Sequence, residues 1–262
     1  MDEAVLPKRL KEPSQALIER GSSISWFTNT RFERAFADPE LTDLTARAGC
    51  IGVAGGLEIA SDRLLALMDK GITIEQAVRA CRALTRSGIL VHAYLMYGFP
   101  TETEQDTIDS LERVRQIFKL GYIWSAAWGR YIATLHSPVV RNPDRYGIRL
   151  RIPQGRFAYY RIPYEDPTPY DQEHTGPASG GRTTASSWAS GWTGMCAPGS
   201  PSPCPPNVPP DFIRSLAPPD AGEGTRHQRA WRLADADWID RPRHGLRVPA
   251  LVTIRTEGET WR

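Results

Sequence analysis

The sequence predicts an α/β fold: an incomplete (β/α) barrel of about four parallel strands, followed by an irregular Pro/Gly-rich C-terminal tail. Three observations predict it. Helix-period and strand-like runs alternate four times within residues 1–150, with glycine where the helices stop. Such alternation makes parallel pairing through right-handed crossovers the expectation. Polar and Gly-rich residues gather where strands end, at Gly55-Gly56-Leu57-Glu58 and at Gly98-Phe99-Pro100, and parallel α/β folds bind ligands beyond such ends. Finally, residues 1–150 contain 6 prolines and residues 151–262 contain 16, so readable periodicity stops near residue 150.

Taken in order, Leu6, Leu10, Leu17 and Ile18 approximate a helical face ending at Arg20-Gly21, with Pro13 a candidate kink. Ile24–Thr28 is a short β-rich run. Asp38 caps a helix with Pro39 in its first turn and Leu41, Leu44 and Ala48 facing inward. Ile51–Ala54 is a strand that breaks at Gly55. Ser61–Lys70 gives a turn or two of helix through Leu64, Leu65 and Met68. Thr73-x-x-Gln76 is a capping-box pattern opening a helix through Ile74, Ala77, Val78, Cys81 and Leu84 to Gly88. Strand Ile89–Tyr97 follows. Thr101-x-x-Glu104 opens the next helix by the same device, with Ile108, Leu111, Val114 and Phe118 on one face. Tyr122–Ile132 is the fourth strand, on which Trp124 and Trp128 share a face. Four strands cannot close a barrel, so an unpaired edge is expected on the first.

A net charge of +2 offers no general basic patch for nucleic acid. No apolar run approaches the ~20 residues of a membrane span. The charged start MDEAVLPKRLKEP lacks a signal-peptide core, so a cytoplasmic protein is expected. Cys50, Cys81, Cys196 and Cys204 show no metal-ligand spacing, and none is assigned to a metal.

The strings GGLEIASDRLLALMDKGITIEQ (55–76), SGILVHAYLMYGFPTETEQDT (87–107) and TLHSPVVRNPDRYGI (134–148) resemble the second half of the radical S-adenosylmethionine (SAM) core. The likeness is to the large members that often carry an upstream cobalamin-binding domain, and it runs from about Asp2 to Ile148. It implies a six-stranded partial barrel of which this chain supplies strands three to six. It also implies the chemistry: a 4Fe–4S cluster passes one electron to SAM, whose cleavage gives a 5′-deoxyadenosyl radical. By the same resemblance Glu58 lies at the SAM ribose, Tyr97-Gly98-Phe99-Pro100 forms the adenine-contacting turn, and Arg31 forks onto the SAM carboxylate. His92 and Tyr94 would line the barrel interior. Arg130, His136 and Ser137 would reach substrate.

Plainer readings compete at each position. Glu58 could serve as a helix N-terminal carboxylate, Arg31 could pair with Glu33 or Asp38, and His92 could be a satisfied interior histidine.

The sequence departs from the family where the cluster is held. The CxxxCxxC loop is absent, so the expectation is a truncated radical SAM-like protein, inactive alone, with the missing N-terminal half of the barrel as a possible partner. The alternative is a non-catalytic remnant that binds a nucleotide or docks a partner. An unrelated barrel enzyme would be expected to show an extended phosphate-binding glycine loop, and none is evident.

Four segments are expected: the partial barrel over 1–150, a post-barrel extension over 151–178 with the family-like turn IPYEDPT, a disordered stretch over 179–206, and a tail over 207–262. The third has Ser/Gly/Pro-rich, aperiodic sequence. Codons rebuilt one frame away permit a string with helical apolar spacing, so this stretch is read as frame-shifted, the frame returning near Asn207. A short helix is expected over Leu233–Trp238 and a strand over Ala250–Arg255.

Overall fold

The structure is a computed structural model that describes residues 4–152, 160–168, 182–184, 206–218, 255–256 and 259–260. Four strands, β1 (Trp26–Thr30), β2 (Cys50–Glu58), β3 (Leu90–Tyr97) and β4 (Ser125–Arg130), pair in that order, every neighbour parallel. The connecting helices are α2 (Pro39–Arg47), α3 (Asp62–Leu67), α4 (Ile74–Arg86) and α5 (Glu104–Lys119), and α1 (Lys11–Glu19) precedes the sheet. This is the parallel α/β half-barrel that the alternation predicts. Among the described residues the sheet does not close: β1 is one edge, and β7 (Arg182–Thr184) runs antiparallel along β4 at the other. The β1 edge is covered at its far end, where Val5 N–H donates to Asn29 O at 2.8 Å and Thr30 Oγ1 donates to Val5 O at 2.8 Å.

Several strands begin later than the hydrophobic runs suggest, and helix ends explain part of this. At α4 the N–H of Ile89 reaches back to Leu84 O at 3.0 Å, and at α5 the N–H of Tyr122 reaches Ile117 O at 3.1 Å. These are Schellman closures, in which the residue after a left-handed glycine satisfies a helix carbonyl. Ile89 and Tyr122 are thereby taken by the caps, and the strands start at Leu90 and Ser125. Trp124 consequently lies outside its strand, half-buried, while Trp128 is buried beside Leu95. Beyond α3 the same closure uses Asp69 at φ 58° with Lys70 N–H to Leu65 O at 3.1 Å, which accounts for its left-handed backbone.

Other expectations are corrected. β2 does not break at Gly55 but runs through Gly56 and Leu57 to Glu58. The box that opens α5 is Thr103-x-x-Asp106, not Thr101-x-x-Glu104. On α2 the fully buried residues are Thr42 and Thr45, whose hydroxyls donate to carbonyls within their own helix; Leu41 packs half-buried against the core, Leu44 is half-buried, and Ala48 is buried. Pro13 falls in the first turn of α1, where a missing N–H costs no helical bond, so it makes no kink. The Thr73/Gln76 box forms as expected, and Ile74, Ala77, Val78, Cys81 and Leu84 are all buried.

The two faces of β3 divide the molecule. Val91, Ala93 and Leu95 are buried in one apolar cluster with Ala77, Val78, Leu84, Leu111, Val114 and Ile117 of the helices. Leu90, His92, Tyr94 and Met96 point the other way, since successive strand residues alternate. Their ladder partners are small: Gly52, Ala54 and Gly56 on β2, and Ser125, Ala127 and Gly129 on β4. This second face is open, with Tyr94 48% and Phe27 58% exposed.

Beyond β4 come α6 (Pro138–Arg141) and a two-stranded antiparallel ladder of β5 (Arg149–Leu150) and β6 (Tyr164–Glu165). Residues 206–217, with the helix α7 (Phe212–Leu216), return to α5. Gln116 donates to Pro209 O at 2.7 Å and accepts from Ile213 N at 3.0 Å, and Tyr122 OH donates to Ala217 O at 2.8 Å. Two compact units divide at Ala217; in the second, β8 (Arg255–Thr256) pairs antiparallel with β9 (Glu259–Thr260). The stretch expected to be disordered, apart from β7 and its last residue, and the helix expected over Leu233–Trp238 lie outside the described residues, as does all but Arg255 of the strand expected over Ala250–Arg255.

Ile213 is 0% exposed and shares the core cluster with α5. Ile213→Ala should therefore lower unfolding stability by about 2–5 kcal/mol, measured as a shifted urea midpoint with unchanged slope; a neutral substitution would mean that residues 206–217 do not pack on the barrel.

Candidate functional site

The carboxyl ends of β2 and β3 lie side by side, with Gly56 paired to Tyr94 and Glu58 to Leu95. At the end of β2, Glu58 has a left-handed backbone, φ 57°. Its carboxylate folds back over the strand: a Cβ on Gly56 would stand 2.2 Å from Glu58 Oε1, so a larger residue there would push this side chain aside. The same oxygen accepts from Lys70 Nζ at 2.8 Å. Non-glycine residues with positive φ cluster at functional sites because surrounding contacts must hold them. Thr101, at φ 69° just past β3, is a second such residue.

The turn Gly98–Thr101 is held by side chains from several parts of the chain. Gly98 N–H and Phe99 N–H donate to Glu102 Oε2 at 2.5 and 3.0 Å. Gly98 O accepts from Tyr164 OH at 3.1 Å, and Phe99 O accepts from Glu102 N–H at 2.9 Å. Thr101 N–H donates to Asp166 Oδ2 at 2.9 Å, while Thr101 O accepts from Arg63 Nη2 at 2.9 Å. Arg63 in turn pairs with Asp106 at 2.5 Å. Every N–H and C=O of Gly98, Phe99 and Thr101 thus has a partner.

Glu102 is 1% exposed. Its other oxygen accepts from Thr107 Oγ1 at 2.5 Å. Burial pushes its carboxyl up to about 7; the bonds from Thr107, Phe99 and Gly98 pull it down, and Asp106 adds to the rise. Tyr164 is raised above the ordinary phenol range by burial, then by Tyr131 and Asp166, against the lowering effect of Arg130.

Of the residues singled out in the sequence, Gly98–Pro100 occupy this turn, Tyr97 is the last residue of the strand leading into it, and Glu58 stands at the end of the neighbouring strand. Phe99 is 3% exposed, and its ring packs edge-on against Tyr131 at 4.8 Å and Tyr146 at 5.9 Å, so it anchors the turn to a second apolar cluster. Arg31 is exposed just past β1. Arg130 is exposed at the end of β4, opposite Tyr97 in the ladder. His92 and Tyr94 share the open sheet face, ring centroids 5.0 Å apart, and His92 Nδ1 lies 2.7 Å from Ser125 Oγ. His136 is exposed in the loop after β4 and is not brought to this turn. Sequence reading missed Glu102, Arg63, Lys70, Tyr164 and Asp166. Two of them, Tyr164 and Asp166, stand in the quoted IPYEDPT turn, which was their only signal.

Residues 3–114 match the Radical SAM superfamily. The chain is 32% identical over 127 residues to an anaerobic magnesium-protoporphyrin IX monomethyl ester cyclase of Rubrivivax gelatinosus, covering 47% of this chain and 22% of that protein. An uncharacterised methyltransferase of Pyrococcus horikoshii is 26% identical over 110 residues, which are 42% of this chain and 24% of that one. The chain thus spans about a quarter of the length of the curated relatives it matches. Among solved structures, the radical SAM methyltransferase TsrM of Kitasatospora setae, with cobalamin and a 4Fe–4S cluster bound, superposes with a TM-score of 0.45 at 18% identity, over 57% of this chain and 31% of that one.

The cysteines do not fit a cluster. Cys50 and Cys81 are buried core thiols, and burial pushes Cys50 up to about 12 and Cys81 higher still, the reverse of what a thiolate ligand needs. No three of the four cysteines have the CxxxCxxC spacing. No helix among the described residues is long and apolar enough to cross a membrane.

Because Glu102 binds its proton more tightly in the fold than in the unfolded chain, its linkage lowers stability as pH rises from about 4.5 to about 7. Glu102→Gln should flatten the pH dependence of the urea midpoint across that window. An unchanged slope would show that Glu102 does not titrate there.

Proposed function

We propose that this chain binds SAM at the carboxyl ends of β1–β4, as the nucleoside-gripping half of a radical SAM barrel. The observation that carries the reading is the turn Gly98–Thr101: a backbone whose hydrogen-bonding groups are met by the chain's own groups, beside the left-handed Glu58, within a segment matching the family. Such preorganisation reduces the ordering cost of binding.

The parts take the following roles. Gly98 carries no side chain, so the backbone can approach the adenine ring. With its N–H groups already donated to Glu102, the turn offers a shaped surface and carbonyl lone pairs rather than free donors. Glu58 engages Lys70 through one oxygen, and a carboxylate can accept ribose hydroxyls through the other. Arg31 forks onto the SAM carboxylate. His92, Tyr94 and Arg130 face the substrate side, with His136 at its margin.

In relatives that hold it, the 4Fe–4S cluster supplies one electron to SAM. The ligands for it are not among these 262 residues, so we infer that this chain alone is inactive. A cluster serving this site would be held by residues outside this sequence, whether in the rest of a longer protein or in a separate chain completing the barrel. The same missing ligands favour the second reading, a module that binds the nucleoside without cleaving it. Cobalamin, bound in TsrM, has no assigned residue here, and no DxHxxG signature occurs in the sequence.

Equilibrium dialysis with labelled SAM, before and after treatment with iron and sulfide under anaerobic conditions, tests the proposal. The expected result is saturable binding independent of iron, weakened about tenfold or more by Glu58→Ala, with no stoichiometric absorbance near ~400 nm. A stoichiometric cluster chromophore, or no SAM binding, would contradict it.

A further inference from the structure

The hairpin that follows the barrel is built into the cofactor turn. Tyr164 lies on β6 and donates to Gly98 O at 3.1 Å; two residues on, Asp166 accepts the N–H of Thr101 at 2.9 Å. The two contacts grip both ends of the four-residue turn. Neither side chain is adventitiously placed. Asp166 is oriented by its own Asx turn, its Oδ1 accepting from Thr168 N–H at 2.9 Å. Tyr164 pairs with Leu150 across the ladder, and its ring stands 6.5 Å from Tyr131. The hairpin is also stitched to the exit of β4, where Ile162 N–H donates to Ala133 O and Leu135 N–H to Tyr160 O, at 2.8 and 3.0 Å.

Thr101 is where such support is needed. It carries a Cβ in the left-handed region, a conformation that a side chain disfavours, and its N–H would otherwise have to find water or another acceptor. A carboxylate acceptor makes the bond charge-assisted, roughly twice as strong as a neutral one.

We propose that Tyr164 and Asp166 are positioning residues for nucleoside binding, latching the Gly98–Thr101 turn in its receiving shape from a segment outside the barrel strands. The inference rests on the SAM-binding reading above. It makes the post-barrel hairpin part of the cofactor site, so a shift of that hairpin against β4 would be felt at the turn.

The test compares Asp166→Ala, Asp166→Asn and Tyr164→Phe with a control, Arg151→Ala. The control removes the exposed Arg151–Glu165 pair in the same hairpin without touching the turn. Binding of SAM and of adenosine is measured on the full chain, together with amide hydrogen exchange at Thr101. Asp166→Ala should weaken both ligands by about tenfold and speed Thr101 exchange. Asp166→Asn, which keeps one acceptor oxygen, should recover part of each, and Arg151→Ala should change neither. Tyr164→Phe should weaken both ligands less than Asp166→Ala, since it loses a neutral bond. Full-strength binding in Asp166→Ala, or an equal loss in the control, overturns the latch while leaving the SAM reading intact. A wild-type chain that binds neither ligand overturns that reading, and the latch with it.

Discussion

The constraint on which the structure turns is the fixing of one short piece of backbone at the end of β3. A turn containing proline and a left-handed threonine leaves few ways to satisfy its own hydrogen-bonding groups. Here they are satisfied by Glu102 from the approach to α5, Arg63 from α3, and Tyr164 and Asp166 from the post-barrel hairpin. Each supporting element is itself tied down: α5 by its capping box, Arg63 by Asp106, the hairpin by its ladder and the β4 exit. The turn therefore integrates the position of most of the barrel's carboxyl-end loops. Burying a carboxylate at its centre raises that group's proton affinity, which is acceptable only because two backbone N–H groups and a hydroxyl converge on it.

A second constraint comes from the sheet. Bulky Leu90, His92, Tyr94 and Met96 stand between rows of Gly, Ala and Ser on β2 and β4. The opposite face is filled by α4 and α5, so the open face is where something outside these residues can lie. Small residues allow close approach to the strands, which suits a ligand or a second layer of chain. The main core cluster lies between sheet and helices, not inside a closed barrel.

Much of this was legible in the residues. Elements whose identity depends on local chemistry read correctly, as with the Thr73/Gln76 box, the glycine exits and the parallel alternation. The departures at the site are non-local. Gly55 and Gly56 suggest a break, yet the ladder to β3 carries β2 onward, and the Glu58 side chain folds over Gly56. Thr101 looked like a cap because the spacing to Glu104 allowed it; its backbone is instead pulled left-handed by Asp166 and Arg63, and the box moves two residues on. Glu102 reads as one more acidic residue in TETE, and nothing local reveals that it is buried. Tyr164 and Asp166 act across more than sixty residues of chain, a separation at which periodicity carries no information.

Residue-resolved amide shift mapping of the full chain, titrated with SAM, tests the central claim most directly. The account predicts that the largest changes fall on Gly98, Phe99, Thr101 and Glu58, with little at α4 and α7. Saturable binding whose shifts map away from those four residues would contradict it.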